Sequence, residues 1–266
     1  MLKKLYQQEY KGGHIMSMRI YTMTHKKFTP LPDPLYVPLH VGRACGENLG
    51  YLGDDTGEQI SALNCYYSEL TGFYWIWKNC HDADYVGTCH YRRYLINEKE
   101  QIYTEKEYRE LLRKYDLVTT KKVLLNNSYY DGFLANHNIR ALEMTGKVIT
   151  EKYPEYADAF EQLVNGRQTY FGNILVTSKI LFDEYASWLF SIFFEVAERI
   201  ELETGEDAYH KRVFGFISEF LLLVWVTVKK LRVYECKVGM LGEKAETGEL
   251  KLSLIHISEP TRPISI

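Results

Sequence analysis

A chain of 266 residues with 46% hydrophobic side chains can bury the core of one large domain, and its 32 basic against 35 acidic side chains leave a net charge of -3. That balance excludes a bulk basic field for gathering nucleic acid, so any anion site must be local. The five cysteines are odd in number and lack paired metal-ligand spacing, which points to buried thiols in a reducing cytoplasm rather than disulfides or zinc.

The longest apolar run, Phe220 to Val228 with Thr227 inside it, falls short of the roughly 18 to 20 residues a spanning helix needs. No secretory signal is visible either. Lys11-Gly12-Gly13 are residues that a ribosome-binding sequence would encode, with Met16 and Met18 following at normal spacing, so residues 1–17 are expected to be a non-native or disordered extension. Leu252 to Arg262 reads as a translated sequencing adapter. The folded domain is therefore expected over residues 18–240, with a disordered tail over 241–266.

Arg19 to His25 alternates β-formers and ends polar, as a first strand would. From Thr29 to Ile60, four prolines and five glycines predict one long irregular loop containing the acidic turn Asp54-Asp55-Thr56-Gly57-Glu58. Ser61 is placed to cap a helix whose apolar positions run from Leu63 to Trp77 at three- and four-residue spacing. Asn79 to Asp84 then turns into a strand over Tyr85 to Leu95. Thr104 and Glu107 form a capping box for a helix to about Tyr115, followed by a strand at Leu117 to Thr120. A helix from Ile139 stops ahead of Pro154, and Asn173 to Thr177 reads as a strand. Helices over Leu181 to Arg199 and Asp207 to Lys229, and a strand over Leu231 to Val238, complete an α/β pattern with helices on the faces of a sheet.

The strand Tyr85 to Leu95 delivers His90, Arg92 and Arg93 among tyrosines at its carboxyl end, where open α/β sheets bind ligands. Charge inside a strand is costly unless paired. A period of two puts Val86, Thr88, His90 and Arg92 on one face, leaving Arg93 to brace the other. A guanidinium fork beside an imidazole suits a diphosphate, whereas pairing of the arginines with Asp84 or Glu69 would be merely structural. Asp82-Ala83-Asp84 looks like a two-aspartate metal motif, but it precedes its strand and falls at the opposite sheet edge, so a turn is expected. Asp54 and Asp55 are somewhat better candidates for a divalent cation, Mg or Mn, with a solvated turn as the default reading. His137 and Asn173 near element ends could bind a hydroxyl-rich ligand or serve as caps. Arg212, Gly215 and Glu219 share one helix face, which suits sugar binding, acid-base work or an ion pair.

Arg19 to Lys26, Leu49 to Gly57, Glu69-Leu70-Thr71 with Tyr74 to Asn79, His90-Tyr91-Arg92-Arg93-Tyr94, and Arg212 to Phe216 with Ser218-Glu219 follow one another in order. Together they resemble a bacterial glycosyltransferase-like family of capsule and exopolysaccharide gene clusters, long labelled a domain of unknown function, over about residues 19 to 237. The resemblance implies a single GT-A-like, Rossmann-related mixed sheet flanked by helices, and a nucleotide-sugar donor. Thr24, His25, Asp54, Asp55, Asn64, Thr71, Lys78, Arg92 and Arg93 would border that donor. His90, Arg92, Asp55 and Glu219 would be the catalytic candidates, and His137, Asn173 and Arg212 would meet the acceptor. The cationic cluster would stand where metal-binding aspartates usually sit. Glu58, Gln59, Gly53 and Phe220 depart from the family's usual residues. The acceptor implied is a glycan or a lipid-linked sugar at the cytoplasmic face of the membrane, which makes peripheral membrane contact a candidate. Two other classes stay open: a metal-dependent phosphodiesterase or nuclease, and a non-catalytic nucleotide-sugar or carbohydrate-binding protein.

Overall fold

The computed structural model describes residues 16–200, 210–243 and 250–254, so residues 1–15 of the extension expected at 1–17, residues 244–249 and 255–266 of the tail expected at 241–266, and the start of the Asp207 helix lie outside the described residues. The first strand is β1 (Met18–Thr24). The proline- and glycine-rich segment after it contains two strands that composition concealed, β2 (Tyr36–His40) and β3 (Leu52–Gly53). β3 pairs with β2 only at Leu39 and His40, which leaves the Pro38 stretch at an open sheet edge, where a proline's missing N–H costs least.

The helix expected from Ser61 is broken at Ser68, whose φ of 51° is left-handed, into α1 (Asn64–Tyr67) and α2 (Leu70–Asn79). Ser61 does not cap it; the hydroxyl donates to Asp54 Oδ1 and accepts from the Ala44 N–H. The next strand, β4 (Tyr85–His90), stops well short of Leu95. Tyr91 and Arg92 form a tight turn, and β5 (Arg93–Ile96) returns antiparallel with Arg93 opposite His90.

The capping box at Thr104 and Glu107 opens α3 (Glu105–Leu112), and β6 (Leu117–Thr120) follows as expected. A short ribbon strand β7 (Val123–Leu124) then leads to α4 (Tyr129–Asn136) and α5 (Ile139–Lys152). Pro154 both ends that helix and starts α6 (Pro154–Val164), since its missing N–H is harmless in a first turn. β8 (Gln168–Thr169) closes the ribbon with β7, and β9 (Leu175–Ser178) leads into α7 (Lys179–Arg199). After α8 (Val213–Lys229), β10 (Val233–Glu243) runs past the expected boundary at 240. It pairs with β11 (Leu250–Leu254), so strand pairing enters the segment expected as a tail.

The main sheet is mixed. β3-β2-β1-β4 lie in that order and all run parallel, which is the half-sheet order of a doubly wound fold. β9 enters antiparallel between β4 and β6, and β10 lies parallel to β6. Alternation divides the core in two. Tyr21, Val86, Leu117 and Leu175 face the layer of α2, α5, α7 and α8, whereas Ile20, Cys89, Val118 and Val176 face α3 and its approach through Tyr103. Two consequences place the site. The strand order reverses between β1 and β4, which opens a crevice at their carboxyl ends. β9, being antiparallel, brings the residues before it to that same end, where Thr88 Oγ1 donates to the Asn173 carbonyl at 2.9 Å. Among the described residues no helix is long and apolar enough to cross a membrane.

Candidate functional site

The crevice is floored by a backbone turn in a conformation few residues tolerate. Gly172 has φ 91° and Asn173 φ 48°, and this turn meets three groups from separate elements. His90 Nε2 lies 2.7 Å from the Gly172 carbonyl, which only accepts, so Nε2 carries the proton and Nδ1 holds the lone pair of a neutral ring. Burial drives the His90 proton affinity down, against the pull of the Glu69 carboxylate. The Gly172 N–H donates to Glu219 Oε1 at 2.6 Å. The Asn173 amide donates to Glu69 Oε1 at 2.7 Å and to the Gly215 carbonyl at 3.0 Å, while Ser218 Oγ donates to Asn173 Oδ1 at 2.9 Å.

Two carboxylates therefore converge on one turn. Burial, with the nearby Glu69 charge second, raises Glu219 from 4.5 to about 8, while the Gly172 N–H, Arg93 and Arg212 pull the other way. The α8 backbone closes against the acids because Gly215 has no Cβ; one added there would lie 3.2 Å from Ser68 Cβ. Ring packing fixes that approach, with Tyr67 and Phe193 each 4.7 Å from Phe214.

Above the acids the crevice is cationic and aromatic. His25 leaves β1 and meets the Tyr91 ring edge-on at 5.7 Å; burial, then the positive Lys26 and Arg212, lower its proton affinity. Phe28 packs between Tyr91 and Tyr51, and Tyr51 Oη donates to the Phe28 carbonyl at 2.7 Å. Arg43, after β2, pairs with Asp55 at 3.5 Å. Asp55 Oδ1 is buried without a hydrogen-bond partner, as is Nδ1 of the nearby His40.

The turn at Tyr91-Arg92 reverses the expected placement of the two arginines relative to His90. Arg92 is exposed on the hairpin, while Arg93, paired across from His90, acts electrostatically on both His90 and Glu219. Cross-strand partners point to the same face, so the period-two inference failed where the strand ended. Asp54 is also reassigned. It is buried and accepts from the Gly42 and Arg43 N–H groups and the Ser61 hydroxyl, so its carboxylate is consumed in building the loop. Asp54→Ala should cost about 2–4 kcal/mol by orphaning three donors, read as a lower urea midpoint.

Asn64 and Thr71 brace the break at Ser68 through its carbonyl and face each other at 3.1 Å. Lys78 is carried by α2 to the far edge of the sheet, where it pairs with Glu58 at 3.0 Å and lies over Trp77, so it does not border the crevice. Asp82 pairs with Arg19 at the start of β1, in keeping with a turn at that edge. Thr24 turns its hydroxyl onto the Lys26 backbone and shapes the exit of β1. His137 stacks on Phe216 at 4.2 Å, and Arg212 lies near the same ring at 5.8 Å. Cys45 and Cys65 are exposed rather than buried.

Glu69, Ser218, Gly172, Arg43 and the Phe28-Tyr51-Tyr91 cluster were not anticipated as site groups. Glu69 was legible only as a partner for arginine. The donor set does not suit a hard divalent cation, because the β4 exit offers His90, Arg92 and Arg93, Asp54 is saturated and Asp55 faces Arg43. Among the described residues no group of three or more His, Cys, Asp or Glu side chains is arranged to hold a metal.

A family model described as a domain of unknown function, DUF4422, matches residues 19–230. Among solved structures the chain is similar to the apo form of the WbbM bifunctional glycosyltransferase, with 32% identity and a TM-score of 0.78. The match covers 84% of this chain and 45% of that one, so the chain spans less than half of that protein's length. No curated protein sequence matches.

Proposed function

The chain belongs to the DUF4422 family, and from that premise we propose that it is a GT-A-like glycosyltransferase that moves a sugar from a nucleoside-diphosphate donor to a glycan or lipid-linked acceptor. The observation that carries the reading is the pairing, in one crevice at the switch point, of a cationic wall with an acid of raised proton affinity. The parallel β3-β2-β1-β4 half-sheet and the likeness to a bifunctional glycosyltransferase support it. Synthesis of capsule, exopolysaccharide or another surface glycan at the cytoplasmic membrane face is the setting this reading favours.

The nucleotide base stacks against the Phe28-Tyr51-Tyr91 cluster, and the unpartnered Asp55 Oδ1 accepts from a donor hydroxyl. Arg93, with Arg212 acting on the same Glu219 carboxyl, meets the diphosphate and stabilises the charge that grows on the leaving oxygen. The acceptor oxygen bonds to the anomeric carbon as the bond from that carbon to the diphosphate oxygen breaks. The electron pair leaves with the nucleoside diphosphate, and the acceptor proton passes to Glu219.

The test incubates the protein with a panel of nucleotide sugars, with and without candidate acceptors, and follows release of nucleoside diphosphate. We expect acceptor-dependent release that survives EDTA. Acceptor-independent release of nucleotide that EDTA abolishes and manganese restores would instead support a phosphodiesterase, and binding without release a non-catalytic role.

A further inference from the structure

We propose that Glu69 is a positioning residue for this transfer, holding through Asn173 the Gly172 backbone from which both His90 and Glu219 are aimed. The proposal rests on the transferase reading and adds to it a residue that only a structural ion pair had suggested.

Three independent features single out Glu69. The first is backbone strain directly before it: Ser68 sits at φ 51°, ψ -133°, outside the ordinary regions for a residue with a Cβ. Without that break α1 and α2 would run on as one helix, and Glu69 would continue its surface rather than turn into the crevice. Asn64 donates to the Ser68 carbonyl at 2.6 Å and Gly215 admits the Ser68 side chain, so the surrounding structure holds the strained peptide in place.

The second is what the carboxylate touches. Glu69 is 17% exposed, and its Oε1 accepts from Asn173 at 2.7 Å while lying 4.0 Å from His90 Nε2. A merely structural carboxylate this enclosed would be expected to sit against Arg92 or Arg93, yet among the described residues its nearest basic partner is His90. The third is the double use of the Gly172 backbone, whose carbonyl accepts from His90 and whose N–H donates to Glu219. Glu69 fixes the next residue of that turn, so it sets the orientation of both groups through the two successive peptide planes that meet at the Gly172 Cα.

The charges facing Glu219 are Glu69 just before α2, Arg93 on β5 and Arg212 just before α8, with Tyr129 of α4 beside it. The charges facing His90 are Glu69 and Arg93, and the titratable His25 at the exit of β1 also acts on it. Glu69→Gln keeps an oxygen for Asn173 and removes only the charge; Glu69→Ala removes both. With the negative neighbour gone, the Glu219 carboxyl loses its proton more readily, so the rising limb of the kcat–pH profile should move to lower pH in both variants. The His90 imidazole, deprived of the same charge, should titrate at lower pH in 15N NMR spectra of the intact protein.

Glu69→Gln should keep the donor KM within about threefold and thermal stability near wild type, while Glu69→Ala should lower kcat about thirtyfold through the loosened turn. Superimposable pH profiles in wild type and Glu69→Gln, or full kcat in Glu69→Ala, would overturn the assignment. So would an unmoved His90 titration. If the wild-type protein turns over no nucleotide sugar, the transferase reading fails, and the role of Glu69 in transfer fails with it. The NMR arm still reports whether Glu69 sets the charge at His90, so the two failures are told apart.

Discussion

Glu219→Gln should lower kcat by about a hundredfold to ten-thousandfold while leaving donor affinity nearly intact, the loss associated with a missing general base. The amide keeps an oxygen for the Gly172 N–H, so the turn survives and the loss is chemical. In the wild-type protein Glu219 must be ionised to take the acceptor proton. Burial, reinforced by the Glu69 charge, raises it to about 8, so the rate should climb through that pH and level off above it. Stability should show the reverse dependence. A carboxyl whose folded value lies above its unfolded value of 4.5 contributes stability that is complete below pH 4.5 and is lost as pH rises through about 8. Glu219→Gln should therefore match the wild type in urea unfolding at low pH and become the more stable protein in mildly alkaline buffer. A variant with full activity, or one that loses its stability advantage as pH rises, would remove Glu219 from the base role.

Arg93→Ala should reduce kcat by about a hundredfold to a thousandfold and weaken donor binding, because the charge it places beside the diphosphate is fixed before the reaction begins. Arg92→Ala should stay within about threefold of wild type, as expected of an exposed turn residue. The pair separates the strand geometry from the motif, since a reading of sequence alone would reverse the order. Arg93 also holds the Glu219 proton affinity down, so its loss should shift the rising limb of the pH profile to higher pH, opposite to Glu69→Gln. Equal losses in the two arginine variants, or a larger loss in Arg92→Ala, would contradict the assignment.

How far the site could be read before the fold was seen depended on whether its residues are close in sequence. The β1 exit at Thr24 and His25, the β4 strand up to His90, and the α8 face of Arg212, Gly215 and Glu219 follow from local periodicity. The sheet order β3-β2-β1-β4 does not, because Pro38 and the surrounding glycines disguised β2 and β3 as loop. The reversal at Tyr91-Arg92 was invisible for a related reason. Nothing in His-Tyr-Arg-Arg-Tyr resembles a glycine or asparagine turn, so period-two alternation was carried past the point where the strand stops. Asp54 was misread because its three donors come from Gly42, Arg43 and Ser61, and a buried structural carboxylate has the same one-letter signature as a ligand. Glu69 escaped notice because its meaning depends on a left-handed Ser68 and on Asn173, which is brought in from the start of β9.

The most direct test is a crystal structure with a bound nucleoside diphosphate. The base is expected against Phe28, Tyr51 and Tyr91, and the diphosphate within hydrogen-bond reach of Arg93 at the exit of β4, with Glu219 facing the vacant sugar position. A diphosphate bridged by a metal to Asp54 and Asp55, or bound at the opposite sheet edge near Arg19 and Asp82, would contradict it.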